Sequence, residues 1–192
     1  MHGSAPEKSR QALLLIDVIN DLEFPGGEQL LGQALPAARC IAALTKRARA
    51  AGVPVVYVND NFGRWRSDFR CQVDHCLTEG IRGREIARLL VPEEQDYFVL
   101  KPKHSGFFST SLDILLKYLG AKTLILAGFA GNICVLYTAN DAYMRDFHLL
   151  VPEDCVASEN AEANAYALKQ MERYLRADTA VSEQLDLTPR QV

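Results

Sequence analysis

Residues Ala12–Asp17 read Ala-Leu-Leu-Leu-Ile-Asp, a nearly continuous apolar run ended by an acid. A strand with one wet face alternates apolar and polar residues, so an unbroken run marks a strand buried on both faces. Such strands belong to parallel sheets, whose neighbours are joined by long crossovers, usually helices. The chain keeps that rhythm. Val53–Asn59, Tyr97–Lys101, Thr123–Gly128 and His148–Pro152 are further strand-like runs, with Thr179–Ser182 as a sixth. Between them, Pro36 can open a helix over Ala37–Ala50 that closes at Gly52. Arg84–Leu90 reads as a short helix before Pro92, and Ser109 or Thr110 can cap one running to Leu119. Ile133–Phe147 and Ala161–Arg176 complete the set. The order predicts an α/β fold, a three-layer αβα single domain. Asn61–Gly83, the longest stretch without periodicity, reads as a functional loop or lid.

The bulk numbers set bounds on function. The 192 residues, 48% hydrophobic and 23% charged, suit one soluble domain with a full core. A net charge of −3 gives no electrostatic reason to expect nucleic acid or an anionic membrane as partner. No apolar run approaches the roughly 20 residues that span a bilayer. Residues 1–10 form a polar N-terminal tail without the apolar centre of a secretory signal, so a cytoplasmic location is expected. The five cysteines are odd in number and scattered, which argues for reduced thiols.

In sheets of this class, ligands sit beyond the carboxyl ends of the strands. Asp17 closes the first strand, Lys101 closes the third, and Cys134 follows the fourth at the start of a helix. Helix N-termini favour a thiolate, and their free N–H groups can hold an oxyanion. Singly, each residue has a plainer reading: a turn aspartate, a solvated lysine, an inert buried thiol. Together at one sheet edge they supply a base, a charge stabiliser and a nucleophile.

The segments around these residues resemble three motifs of the isochorismatase-like cysteine hydrolases. Leu13-Leu14-Leu15-Ile16-Asp17-Val18-Ile19-Asn20-Asp21 is similar to the family's opening motif. Lys101-Pro102-Lys103-His104-Ser105-Gly106-Phe107 is similar to its lysine motif. Gly128-Phe129-Ala130-Gly131-Asn132-Ile133-Cys134-Val135, followed by Thr138-Ala139-Asn140-Asp141-Ala142, is similar to its nucleophile motif. The resemblance implies a hydrolase domain over residues 11–184, followed by a tail over 185–192. It implies a six-stranded, mostly parallel sheet and a catalytic triad of Asp17, Lys101 and Cys134. It also implies a cis peptide between Ala130 and Gly131, with an oxyanion hole built from the Ala130 and Cys134 amides. Homo-oligomers, dimers or tetramers, are implied in the same way.

The chain departs from the family pattern in places. Ile19 replaces a glutamine, Gly131 a threonine and Gly106 an alanine. Relatives that bind metal carry Asp-x-His after the second strand; here Asp60-Asn61-Phe62 lacks the histidine, so no metal is expected. Cys71, Asp74, His75 and Cys76 match no standard zinc spacing. No Gly-x-Gly-x-x-Gly follows a strand, and no cofactor is implied. Asn20, Phe107 and Trp65 are candidates for the substrate pocket. Trp65 lies between Arg64 and Arg66, which can hold a carboxylate or form a solvated basic loop. The expected activity is hydrolysis of a small amide, ureido or carbamoyl compound through a thioester. The alternatives are a catalytically silent binding relative and a vinyl ether hydrolase.

Overall fold

The computed structural model describes residues 8–63 and 68–187. Six strands, β1 (Gln11–Ile16), β2 (Val55–Asp60), β3 (Tyr97–Lys101), β4 (Thr123–Phe129), β5 (His148–Leu150) and β6 (Val156–Ala157), form one sheet. All its pairings are parallel, in the order β3-β2-β1-β4. On the outer edge of β4, β5 pairs with Thr123–Ile125 and β6 with Gly128 and Phe129.

Alternation along β1 divides the core in two. Leu13 and Leu15 face α1 (Gly27–Ala50), α2 (Phe69–Leu77) and α3 (Arg84–Leu89). Ala12, Leu14 and Ile16 face α4 (Leu112–Leu119), α5 (Leu136–Tyr143) and α6 (Ala161–Leu175). Every residue from Ala12 to Ile16 is fully buried. Each large apolar side chain so placed contributes about 1.5–3 kcal/mol from burial. The chain builds outward from β1 to β2 and β3, then returns to lay β4 on the other side of β1. The reversal lies between β1 and β4, where such sheets open a crevice at their carboxyl edge.

Several elements differ from the sequence expectation. The sixth strand is Val156–Ala157, not Thr179–Ser182. Ser182 is instead held by Asp154, which accepts from its N–H at 2.8 Å and its hydroxyl at 2.7 Å. Helix α1 begins ten residues earlier than expected and takes Pro36 into its interior. Pro36 lies on the exposed face, where the carbonyl four residues back can meet water. Part of the 61–83 stretch is helical: Asp68 caps α2 by accepting the Cys71 N–H at 2.8 Å, and Phe69, Gln72 and Cys76 are buried. Among the described residues, no helix is long and apolar enough to cross a membrane.

Candidate active site

Three strand ends deliver the expected residues to one place. Asp17 follows β1 with a φ of 52°, a left-handed turn that aspartate tolerates better than most residues. This turn leaves the Asp17 N–H on the Val58 carbonyl at 3.0 Å. Lys101 ends β3, two strand spacings, or about 10 Å, from β1. Its long side chain, wholly buried, bridges that gap beside the end of β2. The Lys101 Nζ lies 2.8 Å from Asp17 Oδ2, 3.4 Å from Asp60 Oδ2 and 3.6 Å from Cys134 Sγ. The Cys134 thiol also hydrogen-bonds the Asp17 carboxylate.

The charges are coupled. Burial raises the Asp17 carboxyl above its usual range, against the opposing pull of Lys101 and its hydrogen bonds. Burial also works against a charged Lys101, but Asp17, Cys134 and Asp60 outweigh it and raise the ammonium above an ordinary lysine. Burial pushes the Cys134 thiol up, the Asp17 charge pushes it further, and Lys101 opposes both. Desolvation and the neighbouring carboxylate thus work against the thiolate that a helix end favours, and they leave the thiol beside a proton acceptor.

The turn that carries Cys134 has its own construction. Gly128, at φ 129°, lies against β1, and a Cβ there would meet the Ile16 carbonyl oxygen at 2.0 Å. Only glycine lets β4 end beside Asp17. Gly131–Val135 then makes one π-helical turn before α5, a feature often found at functional sites. The cis peptide bond is Phe129–Ala130, one bond before the expected Ala130–Gly131. The Ala130 carbonyl already accepts the Ile133 and Val135 N–H groups, each at 3.1 Å, so the bond to Gly131 belongs to the turn and the reversal falls before it. A Cβ at Gly131 would meet Asn164 Oδ1 at 2.4 Å and Ser158 Oγ at 3.1 Å. The space a side chain would need at Gly131 is filled from α6 and from the segment after β6. Ser158 Oγ accepts the Asn132 N–H at 3.1 Å and donates to Asn164 Oδ1 at 3.0 Å.

The loop after Lys101 is tied to the helix that follows Cys134. Thr138 Oγ1 donates to the Cys134 carbonyl at 2.7 Å and accepts the Gly106 N–H at 3.0 Å. Ser105 Oγ donates to Asp141. These bonds fix Lys101 relative to Cys134.

A cavity of about 500 Å³ opens onto Asp17, Asn20, Ala130 and Cys134, walled mainly by Phe24, Phe62, Phe129 and Ile133. The Ala130 N–H has no acceptor among the described residues. Asn20 lines the cavity as expected. Phe107 does not: it is buried in the core layer under α4 and α5, with the Arg145 guanidinium 4.7 Å from its ring centre. Its apolar character makes pocket and core readings equivalent in the sequence. Trp65 lies outside the described residues.

Asp60 is a site residue that sequence reasoning misses, although its place at the end of β2 is an available signal. Its N–H donates to Asp17 Oδ1 at 2.6 Å, and its Oδ1 accepts the Phe62 N–H at 2.7 Å. With its other oxygen facing Lys101, both carboxylate oxygens are committed, and the residues do not suit a metal there. Among the described residues, no three candidate ligands come together elsewhere, and His75 pairs with Asp21 at 3.1 Å.

The family model of the isochorismatase domain matches residues 11–183. The isochorismatase family protein YaaI of Bacillus subtilis (strain 168) is 42% identical, covering 93% of this chain and 97% of its own length. The ureidoacrylate amidohydrolase RutB of Enterobacter sp. (strain 638) is 29% identical, over 95% of this chain and 90% of its own. Among solved structures, N-carbamoylsarcosine amidase from Thermoplasma acidophilum superposes with a TM-score of 0.70 at 27% identity, covering 92% of this chain and 99% of that one. Nicotinamidase/pyrazinamidase PncA from Bacillus subtilis gives 0.66 at 27%, over 89% and 99%. With the parallel sheet and the motifs at its carboxyl edge, these matches show that the chain belongs to the isochorismatase family and is a hydrolase.

Proposed function

We propose that the protein is a cysteine-dependent amidohydrolase of a small amide, ureido or carbamoyl compound, working through a thioester on Cys134. One observation carries this reading: the Cys134 thiol, at the floor of the cavity, contacts both a buried carboxylate and a buried ammonium. That arrangement supports proton transfer on demand. As the sulfur attacks the carbonyl carbon, its proton passes to Asp17, and the C–S bond forms while the carbonyl becomes an oxyanion. The Ala130 and Cys134 amides are the donors proposed for that oxyanion. Asp17 then returns the proton to the nitrogen as the C–N bond breaks, releasing ammonia or an amine. A water next loses a proton to Asp17 and attacks the thioester. The sulfur leaves, recovers its proton from Asp17, and the acid departs. Lys101 keeps a counter-charge beside whichever of Asp17 and Cys134 is anionic. Movement of the same proton between two partners fits a site where Asp17 is the carboxylate interacting with Cys134.

Ammonia release from a panel of primary amides and ureido acids tests the reading. Mass spectrometry of the protein quenched during turnover should show one acyl group on the peptide containing Cys134. A Cys134→Ala protein that retained turnover of the substrate found in that panel would overturn it.

A further inference from the structure

The mechanism leaves one charged wall of the cavity unused. Glu159, two residues beyond β6, is exposed to the cavity, and its Oε1 accepts the Asn132 Nδ2 at 3.1 Å. Asn132 belongs to the turn that carries Cys134, and Ser158 Oγ holds its backbone N–H. The carboxylate is thereby tied to the turn that carries Cys134. Phe24 and Phe62, 40% and 44% exposed, line the same cavity.

The charge balance of this space is one-sided. Asp60 and Glu159 face it in addition to Asp17. The lysine near it, Lys101, is wholly buried and committed to Asp17 and Asp60; among the described lining residues, His104 is the remaining basic group. A carboxylate beside open aromatic faces is what an ammonium or guanidinium group finds favourable. Among the described lining residues, a substrate carboxylate meets like charges and no cation free to pair with it.

Resting on the amidohydrolase reading above, we propose that Glu159 sets the charge of the substrate. The cavity takes small amides whose far end is cationic, accepts neutral ones less well, and turns away those ending in a carboxylate. Ureido acids and carbamoyl amino acids, part of the range open from the sequence, are thereby disfavoured. A charge a few ångströms away in partly screened surroundings is worth on the order of tenfold in binding per step.

Three primary amides of one length, 5-aminopentanamide, pentanamide and glutaramate, give the test. Their binding is measured by calorimetry on the full-length Cys134→Ala protein, which reads charge selection without turnover, and their hydrolysis on the wild type. The expected order is cationic, neutral, anionic, with about tenfold per step. Glu159→Gln should compress that order to within about threefold, and Glu159→Lys should invert it. Binding of glutaramate as tight as that of 5-aminopentanamide overturns the proposal, as would follow if Arg64 or Arg66 met the substrate. So does an order unchanged in Glu159→Gln, or no binding of any of the three. Ordered binding without hydrolysis by the wild type would instead strike the amidohydrolase reading and leave the charge selection standing.

Discussion

The two edges of this sheet carry similar residue types and opposite physics. At the amino edge, Arg10, Lys122, Asp146, His148, Asp178 and Asp186 surround a depression of about 620 Å³, somewhat larger than the cavity at the carboxyl edge. All six are exposed, so water screens each charge and none depends on its neighbours for solvation. At the carboxyl edge, Asp17 and Lys101 are buried and must solvate one another, and Cys134 joins them. Charge and volume alone do not make a reactive site. Removing water from a few charges forces them into a shared titration, and that coupling is what catalysis can use.

The sharpest way to break this comparison is at Asp17. Burial and then the Asp17 charge push the Cys134 thiol up, so Asp17→Asn should have two opposite effects. Turnover should fall by at least ~10³-fold, because the proposed proton acceptor is gone. Alkylation of Cys134 by iodoacetamide should become faster, because one of the two causes holding the thiol up is removed while Lys101 still favours the thiolate. The pH profile of alkylation should therefore shift to lower pH. Slower alkylation at every pH would show that the buried groups are not coupled as described.

Lys101→Met tests the same coupling through stability. The substitution leaves Asp17 buried without its counter-charge, a loss of about 3–5 kcal/mol for a broken buried pair. The pH dependence has a definite sign. Lys101 is the chief influence lowering the Asp17 carboxyl, so its removal raises that group further. A carboxyl raised in the folded state contributes stability that is present at acid pH and lost as pH rises through its folded value. Urea unfolding should thus show the deficit at about pH 8 and a smaller one near pH 5. A deficit that grows toward acid would contradict the buried pair.

The reach of the sequence follows the same division. Long apolar runs such as Leu13–Ile16 have one stable use, and that use alone places the polar residues at their ends on the carboxyl edge of a sheet. Where a residue's role depends on what arrives from far along the chain, the pattern is silent. Val156–Ala157 is too short to show a period, and it is a strand only because the upper edge of β4 is vacant beside it. Pro36 reads as a helix start because its chemistry permits that, yet here it lies on an exposed helical face. The Asp68 cap and the spacing of Phe69, Gln72 and Cys76 are present in the sequence but hidden among polar neighbours. Phe107 needs the position of α5 to be recognised as core. Asp60 needs the register of β2 against β3, which sets it beside Lys101.

The smallest expected effect lies at the amino edge. Lys122 and His148 stand at the starts of β4 and β5, held in the sheet by backbone pairing that their side chains do not supply. Both side chains are exposed, so replacing either by alanine removes a solvated charge or ring and leaves no buried group unpaired. Each variant should unfold within ~0.5 kcal/mol of the wild type and keep kcat/KM within about twofold on the substrate identified by the amide panel. A tenfold loss at Lys122→Ala with stability unchanged would mean that the larger depression binds something the reaction needs. The contrast between a screened edge and a coupled one would then fail, because exposed charges would be contributing to function without the desolvation that couples Asp17, Lys101 and Cys134.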